Sequence, residues 1–151
     1  MEPAERSRAC ALVGVDFSEG ALGALREGRW LARQAGLELQ LVHVTERRAP
    51  WRPDAPARDW LRVASLDPSM VLVRAGLPWV EIVRHAREVS AAVVVLGSHG
   101  ASGFQAMTLG STARRVALGA PCPVLFVARW RERLPSGEVT APSFHPLQEH
   151  P

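Results

Sequence analysis

Residues 97–111 read G-S-H-G-A-S-G-F-Q-A-M-T-L-G-S and follow directly on the apolar run Ala91-Ala92-Val93-Val94-Val95-Leu96. Glycines stand at 97, 100, 103 and 110. Each costs conformational entropy in a fixed fold, and an anion lying close to the backbone would justify that cost. Gly97 is expected to let the chain turn tightly off a strand. Gly100 keeps a side chain away from an approaching ligand. Gly110-Ser111 opens a helix, whose free N–H groups and positive dipole end attract phosphate. The dipole contributes about 0.3–1 kcal/mol, rising to about 2 when partly buried. Amide hydrogen bonds to charged oxygens add more. The Ser111 and Thr112 hydroxyls suit phosphate or a magnesium ion. Asp16 ends a second apolar run, Ala9 to Val15, and its carboxylate can accept bonds from ribose hydroxyls. Glycine count alone leaves another reading open, in which the loop simply packs closely on its neighbours.

Other phosphate chemistries are excluded by what is missing. The spacing is G-x-x-G, then nine residues, then Gly-Ser, which is not G-x-G-x-x-G. All eighteen basic residues are Arg, so a P-loop lysine and a Schiff base are both ruled out. The net charge of +3 is too small to argue for nucleic acid. The arginines at 47, 48, 52, 58 and 62 are interrupted by Glu46, Asp54 and Asp59, as on a solvated face. No apolar run reaches the roughly 18 residues that span a membrane. The acidic start, without an apolar h-region, predicts a cytoplasmic chain. Cys10 and Cys122 are expected to be buried reduced thiols.

No residue stands out as catalytic. His99 is expected to shape the loop or touch phosphate rather than serve as a general base, which would need an orienting partner. His43, between apolar residues, reads as a satisfied core histidine. Ser98 and Ser111 lack the G-x-S-x-G elbow. His145 and His150 make no metal site with their neighbours. The tryptophans at 30, 51, 60, 79 and 130 are scattered and form no base-stacking platform. Arg114 and Arg115 are either solvent-exposed or close enough to neutralise phosphate.

The elements that must position these groups can be read from the pattern. Ala9 to Val15 predicts a buried strand. Ser18 is the expected N-cap of a helix closed by Gly36, and Ala21, Ala24, Gly28, Leu31 and Ala35 recur along one face. Leu37 to Val44 predicts a second strand. A Pro- and Arg-rich loop is expected over 46–60, with a short helix from Ala57 to Ser65. Met70 to Arg74 predicts a third strand. A helix from Pro78 to Val89 follows, then a strand over Ala91 to Leu96. A last helix runs from Ser111 to Leu118, closed by Gly119, before a fifth strand over Val124 to Val127. This β-α-β-(α)-β-α-β-α-β order predicts a single-domain α/β fold. It would be an open five-stranded parallel sheet, order 3-2-1-4-5, with helices on both faces. Asp16 and the glycine loop would then share the crevice where strand order reverses. Residues 1–7 and 129–151 read as tails, the latter disordered.

The composite G-S-H-G-x9-G-S, followed by Ala120-Pro121-Cys122-Pro123-Val124, resembles the universal stress protein family. Val15-Asp16-Phe17-Ser18 and Leu41-Val42-His43-Val44 match its first two strand ends, and the resemblance spans residues 8–128. It implies a nucleotide-binding domain acting in stress response, with ATP and Mg²⁺ as ligand. Gly97, Ser98, His99, Gly100, Gly110, Ser111 and Thr112 would hold phosphate and ribose. Asp16, flanked by Gly14 and Val15, and Val44 would hold the nucleoside. It also implies a homodimer paired through Val124, Leu125, Phe126 and Val127, and at most slow ATP hydrolysis. The family usually has a long helix between the second and third strands. Here about 25 Pro-rich residues separate Val44 from Met70, which bears on how one crevice wall is covered. The alternative is a dimeric scaffold module of the same fold that binds no nucleotide.

Overall fold

The structure is a computed structural model and describes residues 9–46, 50–99 and 109–128. The expected tails, the loop's residues 47–49 and the Gly100 assignment lie outside the described residues, as do Trp130, His145 and His150.

Five parallel strands run in the order β3-β2-β1-β4-β5. β1 (Cys10–Gly14) is buried at every position, as a central strand covered on both faces must be. It pairs with β2 (Glu38–Thr45) on one side and with β4 (Val93–Gly97) on the other. β3 (Val71–Ala75) and β5 (Val124–Val127) form the edges. Two core layers follow from the period-two alternation of side chains. Val13, Leu41 and Val95 face α1 (Glu19–Ala35) and α2 (Ala55–Val63). Leu12, Val42, Val94 and Leu96 face α3 (Pro78–Glu88) and α4 (Ser111–Gly119). Each fully buried side chain such as Leu12 or Leu25 contributes roughly 1.5–3 kcal/mol.

The helix ends use the expected chemistry. The Ser18 hydroxyl accepts from the Ala21 N–H, and Gly36 closes α1 at φ 65°, where only glycine is unstrained. α2 starts at Ala55, two residues before the expected Ala57. Asp54 caps it by accepting from the Ala57 N–H, and Pro56 is tolerated in the first turn. The Pro- and Arg-rich loop therefore ends before 55 rather than at 60. β4 starts at Val93, because the Ala91 N–H bonds back to Ala86 to finish α3. Gly119 is the last residue of α4 rather than its stop.

A polar network fastens α3 to the β3 edge. Arg74 Nε donates to Glu81 at 3.0 Å, and its Nη atoms grip Glu88 at 2.6 and 3.1 Å. Arg84 donates to the other oxygen of the buried Glu81. The Arg74 hydrogen bonds hold the Glu88 carboxyl below the usual carboxylate range. Cys10 is fully buried, Cys122 is half-buried, and neither is bonded to another cysteine. Burial pushes both thiols up, which keeps them protonated at neutral pH.

Candidate functional site

A cavity of about 300 Å³ opens beyond the carboxyl ends of β1 and β4. That is where strand order reverses and where ligands sit in open α/β sheets. Gly14, Val15 and Asp16 enter it from the end of β1, and Val44 from β2. Gly97, Ser98 and His99 come from β4, and Gly110, Ser111 and Thr112 from the start of α4. Every residue expected at the nucleotide site, among the described ones, therefore lines one cavity.

Its floor is apolar. Val42, Ile82, Leu96 and Pro78 join Val44 there, and none of these four was singled out from sequence. Val42 and Val44 were legible as one face of β2, but nothing local says that this face meets a cavity rather than a helix. No residue of 50–69 lines the cavity. Trp60, Leu61 and Ala64 lie instead in the core layer with α1.

The rim is polar, and two features of it suit an anion. First, Gly110 is extended (φ −57°, ψ 156°) and provides no side-chain cap, unlike Ser18 on α1 and Asp54 on α2. The first intrahelical bond is from Arg114 N–H to Gly110 O, so the earlier N–H groups of α4 have no helical acceptor. Second, His99 Nε2 is buried with no partner among the described residues, while its Nδ1 lies 2.9 Å from Ser98 Oγ. The loop's ends are tied together. Gly110 N–H donates to Ser98 O, and Ser98 N–H to Val127 O, both at 2.9 Å. Arg114 and Arg115 are exposed, and Arg115 lies over the Trp79 ring at 5.8 Å.

Asp16 is exposed at the cavity, and its Oδ1 accepts both the N–H and the hydroxyl of Ser18. These bonds fix the carboxylate's orientation before any ligand arrives.

Gly97 is needed for a different reason than expected. It is not among the residues at positive φ. A Cβ there would stand 2.9 Å from Gly20 C and 3.0 Å from Gly20 O. The reciprocal Cβ at Gly20 would meet His99 O at 2.7 Å. The first turn of α1 thus sits directly on the start of the loop, and close packing explains this glycine. Gly20 itself carried no signal in the sequence, because the contact joins residues 77 positions apart.

Among the described residues there is no group of three His, Cys, Asp or Glu side chains placed to hold a metal. None of their helices is long and apolar enough to cross a membrane.

An open α/β sheet with a glycine-rimmed cavity at its switch point is a ligand-binding architecture, and similarity to known proteins gives the family. The model of the universal stress protein family matches residues 61–128. The solved universal stress protein from Archaeoglobus fulgidus is 30% identical with a TM-score of 0.60, over 79% of this chain and 98% of that one. The chain belongs to the universal stress protein family. The universal stress protein from Archaeoglobus fulgidus in complex with dAMP is 29% identical with a TM-score of 0.57, over 79% of this chain and 97% of that one. Universal stress protein YxiE of Bacillus subtilis is 44% identical over 52 residues, 34% of this chain. That match spans only 35% of the length of YxiE.

Proposed function

We propose that the chain binds ATP, with Mg²⁺, in the cavity between β1 and β4 as part of a stress response. The observation that carries the reading is the uncapped start of α4, facing the same cavity as Asp16. The apolar floor of Val42, Val44 and Ile82 suits a flat base. Asp16 would accept from ribose hydroxyls. The α4 amides, with Ser111, Thr112 and His99, would hold the phosphates. Mg²⁺ would be held by the phosphates and the Ser111 hydroxyl, and it would offset charge between the phosphate oxygens. Gly14, Val15, Gly97, Ser98 and Gly110 would contribute backbone at close range, a role also assigned to Gly100. The dAMP complex of the Archaeoglobus fulgidus relative supports a nucleotide as the class of ligand. The reading assigns binding rather than turnover.

The test is calorimetric titration with ATP and Mg²⁺. Saturable binding below millimolar nucleotide is expected, and no binding by folded protein at that concentration would defeat the reading. The Gly97–Gly20 packing favours the alternative of a scaffold module to one extent only. It explains one loop glycine without a ligand.

We also propose that two copies pair through β5. This edge strand presents open backbone groups, Leu125 is 39% exposed, and Val124, Phe126 and Val127 are half-buried. A bare apolar edge is otherwise an aggregation hazard. Sedimentation is expected to show a dimer for the native chain and a monomer for Leu125→Arg. A dimer unaffected by Leu125→Arg would place the interface elsewhere.

A further inference from the structure

The turn that carries Asp16 is held by side chains that do not line the cavity. Phe17 has φ 61°, in the left-handed region that a bulky side chain rarely adopts. Such a residue persists only where its surroundings over-determine it. Here three rings do so. His43 lies 4.6 Å from the Phe17 ring, Trp51 stacks on it at 5.6 Å with planes 9° apart, and Trp60 meets it edge-on at 5.5 Å. Two of these rings also hold the backbone. His43 Nδ1 is 2.8 Å from Val15 O, and Trp60 Nε1–H donates to Ser18 O at 2.8 Å. The accepting carbonyls, at 15 and 18, bracket Asp16 and Phe17. Trp60 is 5% exposed, so its N–H would be left unpaired if the turn moved.

We infer that Trp60 and His43 are positioning residues for the Asp16 carboxylate. Through Trp60 the segment between β2 and β3 acts on a cavity it does not line. The clasp stands on geometry alone, whereas its effect on binding rests on the reading of Asp16 as a ribose ligand.

Trp60→Phe keeps a ring against Phe17 and removes the N–H. Amide exchange of the nucleotide-free protein is read by NMR, and ATP is titrated beside its 2′,3′-dideoxy analogue. The Ser18 amide donates to Asp16 Oδ1 at 3.0 Å. It is expected to exchange about fivefold faster, the loss of one ordinary hydrogen bond, with the Val13 and Val95 amides unchanged. The preference for ATP over the analogue is expected to fall by a similar factor. Unchanged Ser18 exchange overturns the proposal. So does equal acceleration at Val13 and Val95, which would mark general loosening. An unchanged ATP preference alongside faster Ser18 exchange overturns the link from clasp to binding. Should Trp60→Phe not fold, His43→Phe removes the bond to Val15 while keeping a ring, and is judged by the same amides. Failure of the native protein to bind either nucleotide defeats the reading of the cavity, and Ser18 exchange still decides the clasp.

Discussion

Gly97→Ala is expected to destabilise the protein by about 1–3 kcal/mol, the usual cost of overpacking, and to lower its melting temperature by several degrees. The new methyl would meet the Gly20 backbone at 2.9–3.2 Å, and backbone in the first turn of α1 has little freedom to withdraw. Relief would come from moving the end of β4, which carries Ser98 and His99 into the cavity. ATP affinity should therefore fall together with stability. Gly23→Ala, whose methyl meets only Val127 Cγ1 at 3.3 Å, is the control and should leave binding unchanged. Thermal melts and calorimetry on both variants check this. A Gly97→Ala protein with native stability would show that the α1–loop contact is not as close as described.

Asp16→Ala should weaken ATP binding about 10–100-fold, the worth of hydrogen bonds to a charged group. Little stability should be lost, because Asp16 is exposed. Asp16→Asn keeps an acceptor for the Ser18 N–H and should fall between the two. Titration of the three proteins measures the order. Equal affinities would remove Asp16 from the site.

The fold was legible because it rests on local rules. Apolar runs marked all five strands, and β5 was placed at its observed bounds, Val124–Val127. Ser18 and Gly36 marked α1 through capping chemistry that acts over three or four residues. The sequence puts the start of α2 two residues late because Pro56 reads as loop, whereas an N-terminal turn accepts proline once Asp54 caps it. The cavity was legible in its polar rim, where the spacing of glycines and hydroxyls is itself the signal. It was not legible in its floor. Alternation assigns Val42 to a face but does not say what that face meets. The clasp was hidden for a related reason. Residues 17, 43, 51 and 60 share no period, and a left-handed phenylalanine has no counterpart to the glycine that usually announces such a turn. Scattered tryptophans became a cluster only through tertiary contact.

The central claim is that main-chain donors at the start of α4 hold phosphate opposite Asp16, with the end of β4 close beside it. Titration of ¹⁵N-labelled protein with ATP and Mg²⁺, followed by amide shifts, tests it most directly. The account predicts saturable shifts concentrated at Gly97, Ser98, Gly110, Ser111 and Thr112, with Val44 and Asp16 following and the β3 edge silent. Saturable shifts that leave residues 110–112 unmoved would contradict it.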